Sequence, residues 1–152
     1  MLNEDKIEII EYKEEYQKDI IDFLVQTTTE EFGHPEWRDY FERKLVEQYK
    51  KGNNNFWIVL DSKKHVIGTC GALQQSDKVI KMNCFYINSK YRGTGLGEKL
   101  YDFFMGFIKK ENYETIILCT YKEFDRAIKF YEKRGFELQE IIEDELWYKK
   151  EL

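Results

Sequence analysis

The strongest constraint on this chain is a change of pattern near residue 90. A strand-like stretch from Ile80 to Ile87 gives way to Asn88-Ser89-Lys90 and then to Tyr91-Arg92-Gly93-Thr94-Gly95-Leu96-Gly97. Directly afterwards Leu100, Phe103, Phe104, Phe107 and Ile108 recur at i, i+3, i+4, i+7 and i+8, which is the apolar stripe of a helix. Thr115-Ile116-Ile117-Leu118-Cys119 follows as a nearly unbroken apolar run, the pattern of a buried strand. Strand, helix and strand in that order predict a right-handed parallel crossover. The glycine segment then lies where the first strand ends and the helix begins.

Three glycines at alternate positions let a backbone turn sharply and approach a ligand closely. At the helix start, unbonded N–H groups and the positive dipole end favour a phosphate group. Arg92 adds a planar cationic fork suited to phosphate. These residues therefore point to a phosphorylated ligand. A P-loop needs Lys and then Ser or Thr after its last glycine, whereas Glu98 and Lys99 stand here. A dinucleotide fingerprint has G-x-G-x-x-G near the start of a doubly wound chain; this loop has G-x-G-x-G and lies past the middle. A glycine-rich connection that binds nothing is the remaining reading of the loop alone.

Elsewhere the periodicities predict further elements. Ile7 to Tyr12 reads as a strand. Glu14 to Gln26 reads as a helix on Tyr16, Ile20, Phe23 and Leu24. The β-branched run Thr27-Thr28-Thr29 is expected to weaken that helix. Phe32 to Pro35 reads as a loop, with Pro35 able to start a helix. Trp37, Phe41, Leu45 and Tyr49 predict the second helix. Phe56 to Leu60, Val66 to Leu73 and Ile80 to Ile87, separated by polar turns, predict an antiparallel meander. Asp125 to Arg134 reads as a helix closed by Gly135. Phe136 to Ile142 and Glu145 to Lys149 read as a hairpin around Glu143-Asp144. The expected class is α+β: a mixed central sheet of about seven strands with a parallel central pair, flanked by about four helices.

With 152 residues, the expectation is one domain covering 1–152. The formal charge of −5 speaks against nucleic acid or an anionic membrane as partner. Cys70, Cys84 and Cys119 are odd in number and show no metal-ligand spacing, so neither a disulfide framework nor a metal site is expected, and a reducing, cytoplasmic compartment fits. The segment Met1 to Lys6 lacks a signal-peptide layout. No apolar run approaches the roughly 20 residues of a membrane span.

The glycine segment resembles the acetyl-CoA-binding motif of the GNAT superfamily of N-acetyltransferases. That pattern is Arg or Gln, two residues, Gly, one residue, then Gly or Ala; Arg92, Gly95 and Gly97 match it. Ala127-Ile128-Lys129-Phe130-Tyr131-Glu132-Lys133-Arg134-Gly135-Phe136 is similar to the family's final helix and its turn into a strand. The resemblance covers residues 56–147 well and the N-terminal third only by its helical pattern. One departure stands at Phe124, where many members carry an Asn that helps hold the coenzyme; Asp125 and Thr120 are the nearby polar substitutes.

The resemblance implies acetyl transfer from acetyl-CoA to a primary amine of a small molecule or peptide, by direct attack in a ternary complex. It implies that Arg92, Gly93, Thr94, Gly95, Leu96 and Gly97 hold the pyrophosphate. Backbone groups around Phe85, Tyr86 and Ile87 would hold the pantetheine arm, and Tyr131 would be the acid. The segment from Thr27 to Trp37 falls where the family forms its acceptor pocket, which makes Glu30, Glu31 and Trp37 candidate acceptor contacts. Glu30, Glu31 and His34 are candidate bases, and none is singled out. His65 falls in a predicted turn. A cysteine acyl-enzyme is a rival mechanism. A catalytically inactive CoA-binding regulatory module is a rival function. Homodimerisation is compatible with the sequence and not indicated by it.

Overall fold

The computed structural model describes residues 6–152. Residues 1–5, most of the segment read for a signal peptide, lie outside them. Among the described residues, seven strands form one sheet: β1 (Glu8–Glu11), β2 (Asn55–Leu60), β3 (Val66–Gln74), β4 (Val79–Ile87), β5 (Thr115–Tyr121), β6 (Glu137–Ile142) and β7 (Glu145–Glu151). Their order is β1-β2-β3-β4-β5-β7-β6. Only β4 and β5 pair parallel, as the strand–helix–strand pattern requires. The other neighbours are antiparallel; short turns join β2 to β3, β3 to β4 and β6 to β7, and Glu143 closes the last of these hairpins at φ 55°.

α1 (Gln17–Phe32) follows a 3-10 turn at Glu14–Tyr16. It runs through the threonine run, contrary to the sequence expectation. Thr27 and Thr28 are buried against the sheet, and the Thr28 hydroxyl donates to the Leu24 carbonyl at 2.8 Å. Burial and that internal hydrogen bond outweigh the modest propensity deficit of three β-branched residues. Gly33 ends α1 in the left-handed region. The second helical segment covers 35–48: a 3-10 turn at Pro35–Trp37, α2 (Arg38–Tyr40), a π turn at Phe41–Leu45 and α3 (Val46–Gln48). α4 (Leu96–Lys110) and α5 (Asp125–Lys133) complete the fold.

The sheet has a core on each face. On one, Leu100, Phe104 and Ile108 of α4 press on Ile80, Ile116, Leu118 and Leu146. Each of the three α4 residues is fully buried, worth roughly 1.5–3 kcal/mol apiece. On the other, Ile20 and Leu24 of α1, with Phe41 and Leu45, cover Ile58 and Leu60. That second core stops at β4. On the same face, Ile117, Cys119 and Tyr121 of β5 and Glu145 and Trp147 of β7 belong to neither core. All of these but Ile117 border the cleft described next.

Candidate active site

The cleft begins where the parallel pair parts. β4 and β5 pair only through Val79, Ile80 and Lys81 with Thr115, Ile116 and Ile117. Beyond that point both strands continue without pairing to each other. A bulge in β4 accompanies the parting. Its register against β3 jumps from Gly71↔Asn83 to Thr69↔Tyr86, and Cys84 sits at φ 50°. The Cys84 carbonyl accepts a 2.7 Å hydrogen bond from the Thr69 hydroxyl, which fixes the bulge. Past it, Phe85 and Ile87 join the α4 face while Tyr86 turns to the α1 face. The edge of β4 toward β5 is thus open backbone, bordering a cleft of about 1420 Å³.

The glycine loop forms one rim of this cleft. Gly93 (φ 75°) and Gly95 (φ 86°) occupy the left-handed region that disfavours side chains. Thr94 braces the turn by donating to the Tyr91 carbonyl at 2.5 Å. Gly95 at the N-cap has no side chain to offer α4; the Leu96 N–H reaches the Thr94 hydroxyl at 3.4 Å, and no side chain among the described residues takes the N–H groups of Gly97 and Glu98. Gly93, Thr94, Gly95 and Gly97 line the cleft, and Leu96 is buried behind them. Arg92 also lines it, and its guanidinium lies 2.5 Å from the Glu31 carboxylate. Glu31, expected as an acceptor contact, is therefore held by the loop arginine.

Tyr131 comes from α5, on the far side of the opening. It lines the cleft, and its ring centroid lies 6.5 Å from that of Phe85, beside the bulge. Burial first, then the neighbouring Cys70 and Tyr101, push its phenol well above the ordinary value. It stays protonated at neutral pH, the form an acid needs. Tyr86, also expected near the coenzyme, has its phenol raised well up by burial.

The far wall comes from α1 and the segment after it. Glu30 lines the cleft and accepts from Gln26 at 3.2 Å. Trp37 lines it too, stacked on His34 at 4.1 Å and 3°. His34 itself does not line the cleft. Its ring nitrogens face Glu36 at 2.8 Å and Glu123 at 3.5 Å, and these carboxylates raise its pKa. The two carboxylates favour the charged form of the imidazole, which works against a role as base. Phe124 is buried and stacks on Phe32 at 3.6 Å, so the position that carries Asn in many relatives makes an apolar clasp here. Thr120 and Asp125 line the cleft beside it. His65 is exposed on the turn after β2, hydrogen-bonded to Asp61.

Sequence reading missed a third group, Lys81, Asn83, Glu145 and Trp147, which line the cleft together with Cys119. Lys81 Nζ sits 5.0 Å from the Trp147 ring centroid. The buried Trp147 Nε1 has no hydrogen-bond partner among the described residues. Alternation along Glu145-Leu146-Trp147-Tyr148 carried the signal, since Leu146 and Tyr148 face the core and leave Trp147 to the other side. Cys119 Sγ is 3.7 Å from Glu145, and burial plus that carboxylate push its thiol up to about 11. Burial raises the Cys84 thiol to about 12 and Cys70 well above the usual range. None resembles an activated nucleophile, which needs a depressed pKa. No cluster of side chains suited to a metal ion occurs among the described residues.

The family model of the GNAT acetyltransferases, "Acetyltransferase (GNAT) family", matches residues 18–136. The chain belongs to this family. Its N-acetylaspartate synthetase relative from Xenopus tropicalis is 31% identical over 102 residues, which covers 64% of this chain and 37% of that protein. The chain spans about two fifths of the length of the curated relatives it matches, 37% and 43%. A GNAT-family acetyltransferase from Staphylococcus aureus superposes with a TM-score of 0.84 at 23% identity, covering 96% of this chain and 99% of that one. The PaiA N-acetyltransferase of Thermoplasma acidophilum, solved in complex with coenzyme A, gives 0.82 at 17% identity over 96% and 99%. The GNAT fold is therefore shared along nearly the whole chain. No helix among the described residues is long and apolar enough to cross a membrane.

Proposed function

We propose that this GNAT acyltransferase moves an acetyl group from acetyl-CoA to a primary amine of a small molecule or peptide, by direct attack in a ternary complex. The observation that carries this reading is the parting of β4 and β5 beyond Lys81, with Arg92 and Tyr131 lining the one cleft that results. In the proposed arrangement Arg92 and the amides from Gly93 to Gly97 hold the pyrophosphate. The open edge of β4 at Phe85, Tyr86 and Ile87 hydrogen-bonds the pantetheine arm as a neighbouring strand would. A backbone N–H beside the bulge polarises the thioester carbonyl.

The neutral amine forms the N–C bond, and its extra proton passes to solvent. The C–S bond then breaks, and Tyr131 gives its proton to the departing thiolate and recovers one from solvent. A thiol near 8.5 leaves more readily when a phenol donates to it. The high thiols of Cys70, Cys84 and Cys119 favour this route over an acyl-enzyme. The three free cysteines support a reducing, cytoplasmic setting. A CoA-binding module without transfer is the second reading, favoured by the apolar Phe124–Phe32 clasp in place of a polar coenzyme contact. Thiol release from acetyl-CoA against a panel of amines, with the product weighed, separates the two. An N-acetyl product supports the enzyme. CoA binding without release from any amine supports the module.

A further inference from the structure

The end of α1 ties both rims of the cleft together. On the loop side, the Glu31 carboxylate holds Arg92 at 2.5 Å; Glu31 is only 19% exposed and has no other cationic partner among the described residues. On the other side, Phe32 stacks on Phe124, and His34 reaches Glu123. Both Glu31 and Arg92 line the cleft. A carboxylate thus occupies the cation that the proposed function assigns to the pyrophosphate.

We propose that Glu31 competes with the coenzyme's pyrophosphate for Arg92, so that coenzyme binding frees the end of α1 and turns the Glu31 carboxylate to the acceptor ammonium. This rests on the pyrophosphate role of Arg92. A pyrophosphate is an anion, and an anion drawn to Arg92 lies beside a like charge on Glu31. The pair must loosen, or the two negative charges repel in a cleft where screening is reduced. Once freed, Glu31 is a cleft-lining carboxylate with no cation, suited to an amine that arrives as its ammonium. Coupling of this kind is reciprocal, so a bound cationic acceptor tightens the coenzyme by the same factor.

The test is calorimetric titration of free CoA into the full chain, wild type and three variants. Glu31→Gln removes the competing charge and tightens CoA about three- to tenfold. Glu31→Asp keeps the charge but shortens its reach, so it moves affinity in the same direction by less. Arg92→Gln weakens CoA at least about tenfold. Should Arg92→Gln leave CoA affinity unchanged, the pyrophosphate reading itself fails. Should Arg92→Gln weaken CoA while Glu31→Gln leaves it equal or weaker, that reading stands and the competition is overturned; Glu31 would then be a strut that holds Arg92 in place. Unchanged unfolding midpoints for Glu31→Asp keep the comparison valid if Glu31→Gln folds poorly.

Discussion

Replacing Tyr131 with phenylalanine isolates one chemical group. The ring is 7% exposed and wedged among Phe85, Phe130 and Phe136. Its hydroxyl makes no hydrogen bond to the described residues. Tyr131→Phe therefore removes one oxygen without orphaning a partner, and stability should change by less than about 1 kcal/mol. A general acid contributes about 10²-fold or more. That corresponds to about 2.7 kcal/mol of barrier, at about 1.36 kcal/mol per decade. The pH profile sharpens the reasoning. A raised phenol keeps its proton through neutral and mildly alkaline pH, so the wild-type rate should show no loss assignable to Tyr131 below about pH 10. The assay is initial-rate thiol release with an accepted amine, with pre-steady-state traces to show that chemistry limits turnover. CoA affinity should be unchanged. A variant with wild-type turnover while chemistry is rate-limiting would refute the acid role and leave Tyr131 as packing.

Trp37→Ala and Glu30→Gln should raise the acceptor KM while leaving the acetyl-CoA KM within about twofold; two-substrate kinetics decide, and unchanged acceptor values would move the pocket toward Lys81, Glu145 and Trp147. Gly71→Ala should destabilise the chain by about 1–3 kcal/mol in urea titration, because a Cβ there would lie 2.2 Å from the hydroxyl of Tyr49, a rigid ring clasped by Asn83; wild-type stability would show that Tyr49 moves aside freely. Alkaline pH should unfold the protein. Cys70, Cys84, Tyr49, Tyr86 and Tyr131 are all raised by burial, so the unfolded chain ionises first, from about pH 9 for the thiols. Stability is full below that point and falls by up to about 1.4 kcal/mol per pH unit for each group between its two pKa values. A melting temperature that holds level from pH 8 to 11 would contradict this.

The half of the fold that makes the glycine-loop rim of the cleft was legible because its signals are local. Helical spacing from Leu100 to Ile108, the apolar run from Thr115 and the glycines between them each act within a few residues. The parallel β4–β5 pair follows from them. The bulge was not legible, because nothing in Asn83-Cys84 marks a positive φ; it is imposed by pairing with β3 and by the Thr69 hydroxyl. The end of α1 was misread for a similar reason, since burial of Thr27 and Thr28 is a tertiary fact. The sequence placed Arg92 and Glu31 in separate subsites, and only the fold brings them into contact. Lys81 and Trp147 are far apart in sequence, and their meeting depends on β7 settling beside β5.

The central claim is that the cleft opened between β4 and β5 seats the coenzyme with its pyrophosphate on the glycine loop. Titration of CoA into wild-type protein and into Arg92→Glu tests it most directly. One reversed charge replaces a charge-assisted contact worth roughly 1.5–3 kcal/mol with repulsion. The account predicts measurable CoA binding to the wild type and a loss of at least about tenfold in the variant, since roughly 1.4 kcal/mol is one decade. Equal affinities in the two proteins, or no CoA binding to either, would contradict it.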